Sequence, residues 1–219
     1  MGDSAQQERI RTITIPPVGL EGLLGLPTQA RGIVLFAHGS GSGRLSPRNN
    51  FVAKALRQAG LATLLFDLLT ADEEQDRRNV FDISLLAQRL SMAAAWARDD
   101  AETANLPVGY FGASTGAAAA LVAAAAAEDP VAAIVSRGGR PDLAGPALGS
   151  VRAPTLLIVG GDDVEVLALN RAALAELRCA KDLVIVPGAT HLFEEPGTLE
   201  AVVEHARDWF STHLGEVGT

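Results

Sequence analysis

The sequence has a single cysteine, Cys179, among its 219 residues. One thiol cannot form a disulfide within the chain, so the fold does not depend on an oxidising compartment, and we expect Cys179 to be inert. The longest uninterrupted apolar run, residues 117–127, has 11 residues and is too short to cross a bilayer. The first residues lack the apolar stretch of a secretory signal, and Gln6 stands where a myristoylation motif requires Ser or Thr. We therefore expect a cytoplasmic protein with no membrane partner.

The sequence also has no excess of positively charged residues. Lys and Arg together number 18 against 26 Asp and Glu, which gives a net charge of -8. Recognition of a nucleic acid needs a concentrated basic surface, and no segment of the sequence supplies one, so we expect no nucleic-acid partner. The glycine-rich segment 38–43, His-Gly-Ser-Gly-Ser-Gly, lacks the Gly-Lys-Ser/Thr that a Walker A phosphate loop requires. Nucleotide binding through such a loop is therefore not expected.

The composition is that of a globular protein, with 48% hydrophobic and 20% charged residues. This length suits one domain with a substantial core, so we expect a single domain over residues 1–219, with residues 1–10 as a flexible tail. Short β-branched or leucine-rich runs alternate with longer helical patterns, which predicts a mainly parallel sheet covered by helices. The predicted strands are residues 12–16, 22–26, 32–38, 61–67, 108–113, 131–136, 155–160 and 182–188.

The first two predicted strands are separated by a very short segment, which predicts a hairpin at the edge of the sheet. Helical patterns lie between the later strands and after the last one. The predicted helices are residues 49–60, 79–100, 114–129, 164–179 and 197–214. The third of them contains the alanine run, which we interpret as a helix of small side chains packed closely against the sheet.

Ser114 lies in a Gly-x-Ser-x-Gly pattern between a predicted strand and a predicted helix. In a nucleophile elbow the serine sits on a strained turn, where side chains at the two glycine positions would collide with the neighbouring helix and strand. The carboxyl ends of parallel strands meet at one edge, so the loops that follow other strands should lie beside Ser114. Asp162 and Asp163 follow the seventh strand, and His191 follows the eighth.

These segments make the sequence resemble the α/β-hydrolase superfamily over essentially the whole chain, and within it the compact, lidless dienelactone-hydrolase-like group. The resemblance implies a three-layer α/β fold with an eight-stranded, mostly parallel sheet, helices on both faces and no lid domain. It also implies the chain order of nucleophile, acid and base, here Ser114, an aspartate near position 163, and His191. Dienelactone hydrolases proper use a cysteine nucleophile, and the serine of this chain favours a general carboxylesterase.

The proposed base and acid have competitors. Histidine suits the removal of a proton from a serine hydroxyl because its pKa lies near neutrality, and His191 alone has the expected loop position. The resemblance implies a Gly-x-x-Asp arrangement that maps Gly160 onto Asp163, so Asp163 is preferred over Asp162 as the acid. Asp67, at the end of the fourth strand, is a remote competitor, and helix capping is the alternative role for whichever of Asp162 and Asp163 is not the acid. We interpret His38, at the end of the third strand, as structural and as orienting its own loop.

An oxyanion hole requires two backbone N–H groups that point at the developing charge. The elbow supplies one from Thr115, the residue after the nucleophile. The second should come from the glycine-rich loop after the third strand, which resembles the family's His-Gly-x-Gly, with Ser40 as the first choice and Gly41 as the second.

Four arginines occur in segments that should border the crevice: Arg44, Arg48, Arg137 and Arg140. Arginine can bind a carboxylate through two parallel hydrogen bonds, so we assign substrate binding to Arg44 and Arg137 and expect a substrate that carries an anionic group. The alternative is that these side chains pair with nearby acids such as Asp67, Glu73 and Asp142 and fix the loops.

The sequence thus predicts a serine hydrolase that cleaves small, soluble carboxylic esters through an acyl-enzyme. No metal or organic cofactor is expected, and no partner except the ester substrate, with the protein a monomer or a homodimer. The same triad could serve a thioesterase, an amidase or an acyltransferase, and a non-catalytic binding protein could retain the fold.

Overall fold

The alternating apolar and helical segments fold around one eight-stranded sheet in the computed structural model, which describes residues 8–215. The strands are β1 (Arg9–Ile15), β2 (Leu20–Leu26), β3 (Ile33–Ala37), β4 (Ala62–Phe66), β5 (Val108–Ala113), β6 (Ala133–Arg137), β7 (Thr155–Gly160) and β8 (Lys181–Val186). Their order across the sheet is β1-β2-β4-β3-β5-β6-β7-β8. All eight predicted strands are therefore present.

The sheet is parallel apart from one edge. Strand β2 pairs antiparallel with both β1 and β4, and β3 to β8 are parallel to one another. The predicted hairpin of the first two strands is confirmed. Strand β1 already begins at Arg9, so residues 9 and 10 are not part of a tail, which corrects that end of the tail predicted for residues 1–10. Residues 1–7 lie outside the described residues.

Helices cover both faces of the sheet. They are α1 (Pro47–Gln58), α2 (Ala71–Glu74), α3 (Arg77–Val80), α4 (Ile83–Asp99), α5 (Thr115–Ala126), α6 (Val164–Glu176) and α7 (Thr198–Leu214). Side chains of α1 and α7 form a core with one face of the sheet, and those of α4, α5 and α6 form a second core with the other face. This is the three-layer arrangement predicted from the sequence.

The side-chain alternation of the strands explains the two cores. In β3, Ile33 and Leu35 pack on the α4 side, whereas Val34 and Phe36 pack on the α1 side, and all four are buried. A strand buried on both faces is a continuous apolar run rather than an alternating one. The parallel strands therefore fix the sheet at the centre of the molecule and leave their carboxyl ends for polar loops.

The helix predicted over residues 79–100 is interrupted, which corrects the sequence interpretation. Helix α3 ends at Val80, and α4 begins after Asp82, whose side chain accepts a hydrogen bond from the Leu85 amide at 3.0 Å. An aspartate that satisfies the free N–H groups of a helix start favours initiation at that residue. The apolar periodicity alone does not mark this break.

The segment between β6 and β7 forms two short 3₁₀ turns within Pro141–Ser150, which are separated by a kink at Gly145 and pack against α5 and α6. Within residues 8–215 no inserted lid domain covers the carboxyl edge of the sheet, as predicted. None of the helices in the described range combines the length and the apolar character that a bilayer-spanning segment needs.

Candidate active site

Ser114 occupies a strained turn between β5 and α5. Its backbone has φ 51° and ψ -121°, a conformation that residues with a side chain rarely adopt. A side chain at Gly112 would lie within 2.5 Å of the Ala117 Cα, and one at Gly116 would overlap the carbonyl oxygen of Ala37. The two glycines are therefore required by close backbone contacts with α5 and β3, as the elbow pattern predicts.

His191 and Asp163 are in direct contact, although 28 residues separate them in the chain. The Nδ1 of His191 lies 2.7 Å from Oδ2 of Asp163. A carboxylate can only accept a hydrogen bond, so this contact places the imidazole proton on Nδ1 and leaves Nε2 free to accept another proton. The Asp163 side chain is 15% exposed, whereas His191 is 38% exposed and reaches the open cleft.

Asp162 and Asp163 differ in what their carboxylates do. Asp163 occupies the N-cap position of α6, but its side chain makes no capping hydrogen bond and binds His191 instead. Asp162 is exposed, and its carboxylate makes no hydrogen bond within residues 8–215. The loop that carries His191 packs closely against the end of β7, since a side chain at Gly160 would overlap the Ala189 carbonyl. This close packing makes the contact between Asp163 and His191 possible.

Ser114 and His191 line one open cleft of about 1130 Å³ at the carboxyl edge of the sheet. The loop after β3 forms another wall and includes Ser40, and a side chain at Gly39 would lie 2.9 Å from the Ser114 Cβ. Among residues 8–215 the Ser114 hydroxyl makes no hydrogen bond to His191. Hydrogen bonds of this kind are commonly long in unliganded sites and tighten when substrate binds.

Two amides border Ser114 at the positions expected for an oxyanion hole. The Thr115 N–H is the first of α5, where helix geometry provides no intrahelical acceptor. The Ser40 N–H finds no acceptor in the part of the chain that the structure describes. Gly41 has φ 69°, so the loop turns sharply directly after Ser40.

His38 holds the peptide that carries the Ser40 N–H. Its Nε2 accepts a hydrogen bond from the Leu68 amide at 3.0 Å, so the proton lies on Nδ1, which donates to the Gly39 carbonyl at 3.0 Å. The carbonyl and the N–H of one peptide point in opposite directions, so this contact turns the Ser40 N–H to the other side. Burial lowers the pKa of His38 and keeps it neutral.

The neutral state of His38 predicts a pH-dependent contribution to stability. We expect His38→Asn to be about 1–3 kcal/mol less stable than the wild type near pH 8, because buried backbone groups lose their partner. The pKa is lower in the folded than in the unfolded state, where it is near 6.5. The wild type therefore loses stability as the pH falls below that value, and the difference in unfolding free energy between the wild type and His38→Asn should become smaller. Urea unfolding of both proteins at several pH values measures this difference in free energy. A difference that does not change with pH would contradict a neutral, hydrogen-bonded His38.

Three of the four predicted arginines are paired within the protein. Arg44 binds Asp67 and also contacts Glu21 at 2.6 Å, and its own amide donates to Asp67 at 2.7 Å. Arg48 contacts Glu194 at 2.8 Å. Arg140 contacts Asp142 at 2.8 Å and does not line the cleft. These ion pairs support the alternative that the arginines fix the loops. The support is clearest for Arg44, for which substrate binding was predicted.

Arg137 differs from the other three. It lines the cleft together with Ser114, is only 8% exposed, and makes no hydrogen bond through its side chain to any described residue. Burial, together with the nearby Arg48, lowers the pKa of Arg137 to about 10, so the side chain remains charged at neutral pH. Metal binding has no comparable candidate, because residues 8–215 contain no cluster of three or more His, Cys, Asp or Glu side chains.

A solved structure of high similarity decides the family. The dienelactone hydrolase from Anabaena variabilis is 57% identical, with a TM-score of 0.90, and the match covers 95% of this chain and 98% of that one. The chain belongs to the dienelactone-hydrolase-like family of α/β hydrolases. The family predicted from the sequence is thus confirmed. The dienelactone-hydrolase-like fold is also shared by the esterase domain of a Rhodothermus marinus protein, with 20% identity and a TM-score of 0.75 over 95% of this chain and all of that one.

Curated relatives of this dienelactone-hydrolase-like chain are named as transferases rather than as hydrolases. Two Mycobacterium tuberculosis proteins named as candidate phosphoribosyl transferases are 63% identical over 198 residues. The match covers 90% of this chain but 45% of each relative, so the chain spans about half the length of the curated relatives it matches. No protein-family model matches the sequence.

Proposed function

We propose that this protein is a serine hydrolase that cleaves small carboxylic esters through an acyl-enzyme. The observation that carries the proposal is the 2.7 Å contact between His191 and Asp163 at the cleft that Ser114 also lines. Acyl transfer of this kind uses a hydroxyl, an imidazole and a carboxylate. The imidazole removes the proton that makes the hydroxyl a poor nucleophile, and the carboxylate stabilises the positive charge that the imidazole then carries.

In the proposed first step, Ser114 Oγ attacks the ester carbonyl carbon while its proton passes to Nε2 of His191. Asp163 stabilises the imidazolium through the Nδ1 hydrogen bond, and the Thr115 and Ser40 amides bind the oxyanion. Breaking the carbon–oxygen bond then releases the alcohol, which takes the proton from His191. Water then attacks the acyl carbon while His191 takes its proton, and the bond to Ser114 Oγ breaks as His191 returns that proton to Oγ, which releases the carboxylic acid.

The comparisons favour hydrolysis over phosphoribosyl transfer for the matched region. The relative covered almost completely is named a dienelactone hydrolase, whereas the relatives named as phosphoribosyl transferases extend well beyond the matched region. We therefore propose that the matched region supplies the hydrolase activity. The open cleft without a lid favours small soluble esters over long-chain lipids.

The proposal predicts covalent capture of the serine. Incubation with a fluorophosphonate should add one label per chain at Ser114, because the activated hydroxyl displaces fluoride, and should abolish turnover of p-nitrophenyl acetate in parallel. Peptide mass spectrometry locates the label, and heat-denatured protein is the control for non-specific reaction. A folded protein that turns over the ester after complete labelling, or one that takes no label, would rule out the serine mechanism.

A further inference from the structure

Asn170 is a polar side chain in the buried face of helix α6. Its exposure is 0%, and the other buried residues of this helix, Val166, Leu167 and Ala173, are all apolar. A side-chain amide in such a position opposes folding unless hydrogen bonds replace the water that it has lost. The hydrogen-bond partners of Asn170 therefore indicate its role.

Both hydrogen bonds of Asn170 use its NH₂ group. Nδ2 donates to the Val166 carbonyl at 2.8 Å and to the Gly139 carbonyl at 2.9 Å. Carbonyl oxygens can only accept hydrogen bonds, so the NH₂ group and not Oδ1 must face them. Oδ1 is buried and accepts no hydrogen bond from any residue in the range 8–215. The position therefore uses Asn170 as a donor to the loop after β6 and leaves its oxygen unsatisfied.

The Gly139 carbonyl and the Arg140 N–H belong to one peptide group. A peptide group is planar, and its carbonyl and N–H point in opposite directions. Because Asn170 binds the carbonyl from the α6 side, the Arg140 N–H points away from α6, where it donates to the Ser114 carbonyl at 3.1 Å. A side chain at Gly139 would lie 2.6 Å from the Ala117 Cβ, so this peptide group lies directly against α5.

The Ser114 carbonyl and the Thr115 N–H belong to the next peptide group in this series. The carbonyl accepts hydrogen bonds from the Arg140 N–H and from the Ala117 N–H, each at 3.1 Å. The Thr115 N–H therefore points in the opposite direction, away from the loop after β6. This N–H is the first of the two that we assign to the oxyanion hole.

The loop after β6 also fixes the strained backbone of the nucleophile. The φ of 51° and ψ of -121° at Ser114 persist only if the surrounding structure holds them. The Ser114 N–H donates to the Arg137 carbonyl at 3.4 Å, and the Ser114 carbonyl accepts from Arg140. Both backbone groups of Ser114 are thus bound to residues 137–140, and Asn170 binds this segment from its other side.

We propose that Asn170 is a positioning residue that orients the Thr115 N–H of the oxyanion hole through these two peptide groups. This role rests on the proposed hydrolase function. Hydrogen bonds in series polarise one another, so donation by Asn170 also makes the Thr115 N–H a stronger donor to the developing oxyanion. Asn170 does not line the cleft, and it should therefore affect stabilisation of the transition state rather than substrate binding.

The two amides of the proposed oxyanion hole then have equivalent support. His38 binds the carbonyl of the peptide group that carries the Ser40 N–H, and Asn170 acts on the Thr115 peptide through one intermediate peptide group. Asp163 stands at the start of α6, about two helical turns before Asn170. One helix therefore positions both the acid that binds His191 and a donor of the oxyanion hole.

Replacement of Asn170 by leucine tests this role, because leucine has nearly the same shape but no donor. We expect kcat for p-nitrophenyl acetate to fall about tenfold or more and KM to stay within about twofold, since acylation and deacylation both use the hole. Thr155→Val is the matched control. The Thr155 hydroxyl makes a similar buried hydrogen bond, to the Ala153 carbonyl at 2.9 Å, which lies outside the chain of contacts that leads to Ser114. Thr155→Val should retain the wild-type kcat and KM.

Active-site labelling distinguishes a misplaced N–H from a misfolded fraction of the protein. Asn170→Leu should still take one fluorophosphonate label per chain, but about tenfold or more slowly than the wild type, because every molecule keeps its nucleophile and has a poorly oriented donor. A merely structural role would leave some chains unlabelled while the others react at the wild-type rate. Wild-type kcat in folded Asn170→Leu, or an equal loss in Thr155→Val, would also overturn the proposal.

A second variant covers the case in which Asn170→Leu does not fold. In Asn170→Ser the shorter hydroxyl can still donate to the Val166 carbonyl four residues earlier in the helix, but it is too short to reach Gly139. The same slow but complete labelling is expected. Labelling at the wild-type rate in folded Asn170→Ser would show that the contact with Gly139 does not support the oxyanion hole.

Amide hydrogen exchange keeps the role of Asn170 distinct from the hydrolase proposal, because it requires no activity. The Arg140 amide should exchange about tenfold or more faster in Asn170→Leu than in the wild type, since its peptide group is no longer held. The Gly138 amide, which donates to the Ile158 carbonyl at 2.8 Å, is the internal reference and should keep its wild-type rate. Unchanged exchange at Arg140 would refute the role of Asn170 even if Ser114 is the nucleophile. Faster exchange in a protein without esterase activity would support the contacts and refute only the hydrolase proposal.

Discussion

Replacement of Ser114 by alanine should reduce kcat/KM for p-nitrophenyl acetate by roughly 10⁴-fold or more. The reason is that the acyl-enzyme cannot form without the hydroxyl, and only the oxyanion amides and substrate binding remain to accelerate attack by water. Initial rates with short p-nitrophenyl esters measure the effect. The pre-steady-state burst of p-nitrophenol, expected if the wild type accumulates acyl-enzyme, should disappear in the variant.

The same variant should remain folded, and this makes the result interpretable. Ser114 has φ 51°, a strained conformation that alanine must also adopt, so no relief of strain is expected from losing the hydroxyl alone. Ser42→Ala is a matched control, because Ser42 also lines the cleft but adjoins neither strand β5 nor helix α5. Wild-type rates in folded Ser114→Ala would refute the mechanism, and an equal loss in Ser42→Ala would indicate a general disturbance of the cleft.

The sheet could be predicted from the sequence because its parallel strands are buried on both faces. Continuous apolar runs such as β3 and β7 have no polar alternation and are bounded by glycine or proline, so their existence is unambiguous. Strand β1 is different, since Arg9 and Arg11 lie on its exposed side and pair with acids of distant segments. Its first residues therefore resemble a polar tail in the sequence.

The positions of Ser114, Asp163 and His191 could be predicted because each directly follows a strand or its turn. Chain order and strand ends bring such residues to one edge without knowledge of any distance. Of the acids named as loop-fixing partners of the four arginines, Asp67 binds Arg44 and Asp142 binds Arg140, whereas Glu73 binds a different arginine. Arg44 and Asp67 meet because β3 and β4 are neighbours in the sheet. Arg44 is therefore paired with an acid, whereas Arg137, at the end of β6, makes no side-chain hydrogen bond to a described residue.

A signal for Arg137 exists in the sequence, although it is easily overlooked. The residues at 133, 135 and 137 share one face of β6, and the first two are buried apolar side chains. A charged residue that continues such a series must be buried as well, and a buried arginine requires a partner. The geometry of the β6 end, which shows whether a partner is present, comes only from the fold.

Replacement of Asp163 by asparagine should lower kcat/KM by roughly 10²–10⁴-fold, the second-largest effect expected. The contact of 2.7 Å with Nδ1 of His191 requires an acceptor that also stabilises positive charge. An amide is neutral, and if its NH₂ group faces the ring it forces the proton onto Nε2, where the serine proton must arrive. The imidazole then has the wrong tautomer, and the loss should appear mainly in kcat because substrate contacts are unchanged.

Asp162→Asn is the matched control, since it makes the same chemical change one residue away. Asp162 is exposed and its carboxylate has no hydrogen-bond partner within residues 8–215, so we expect rates within about twofold of the wild type. Asp163 is also the N-cap of α6, but its side chain makes no capping bond, so Asp163→Asn should unfold at nearly the wild-type temperature. Activity and stability therefore separate the two possible roles of Asp163. A large loss of unfolding temperature with unchanged activity would assign Asp163 to the helix, and equal losses of activity in both variants would mean that the acid is shared by Asp162 and Asp163 rather than fixed at one position.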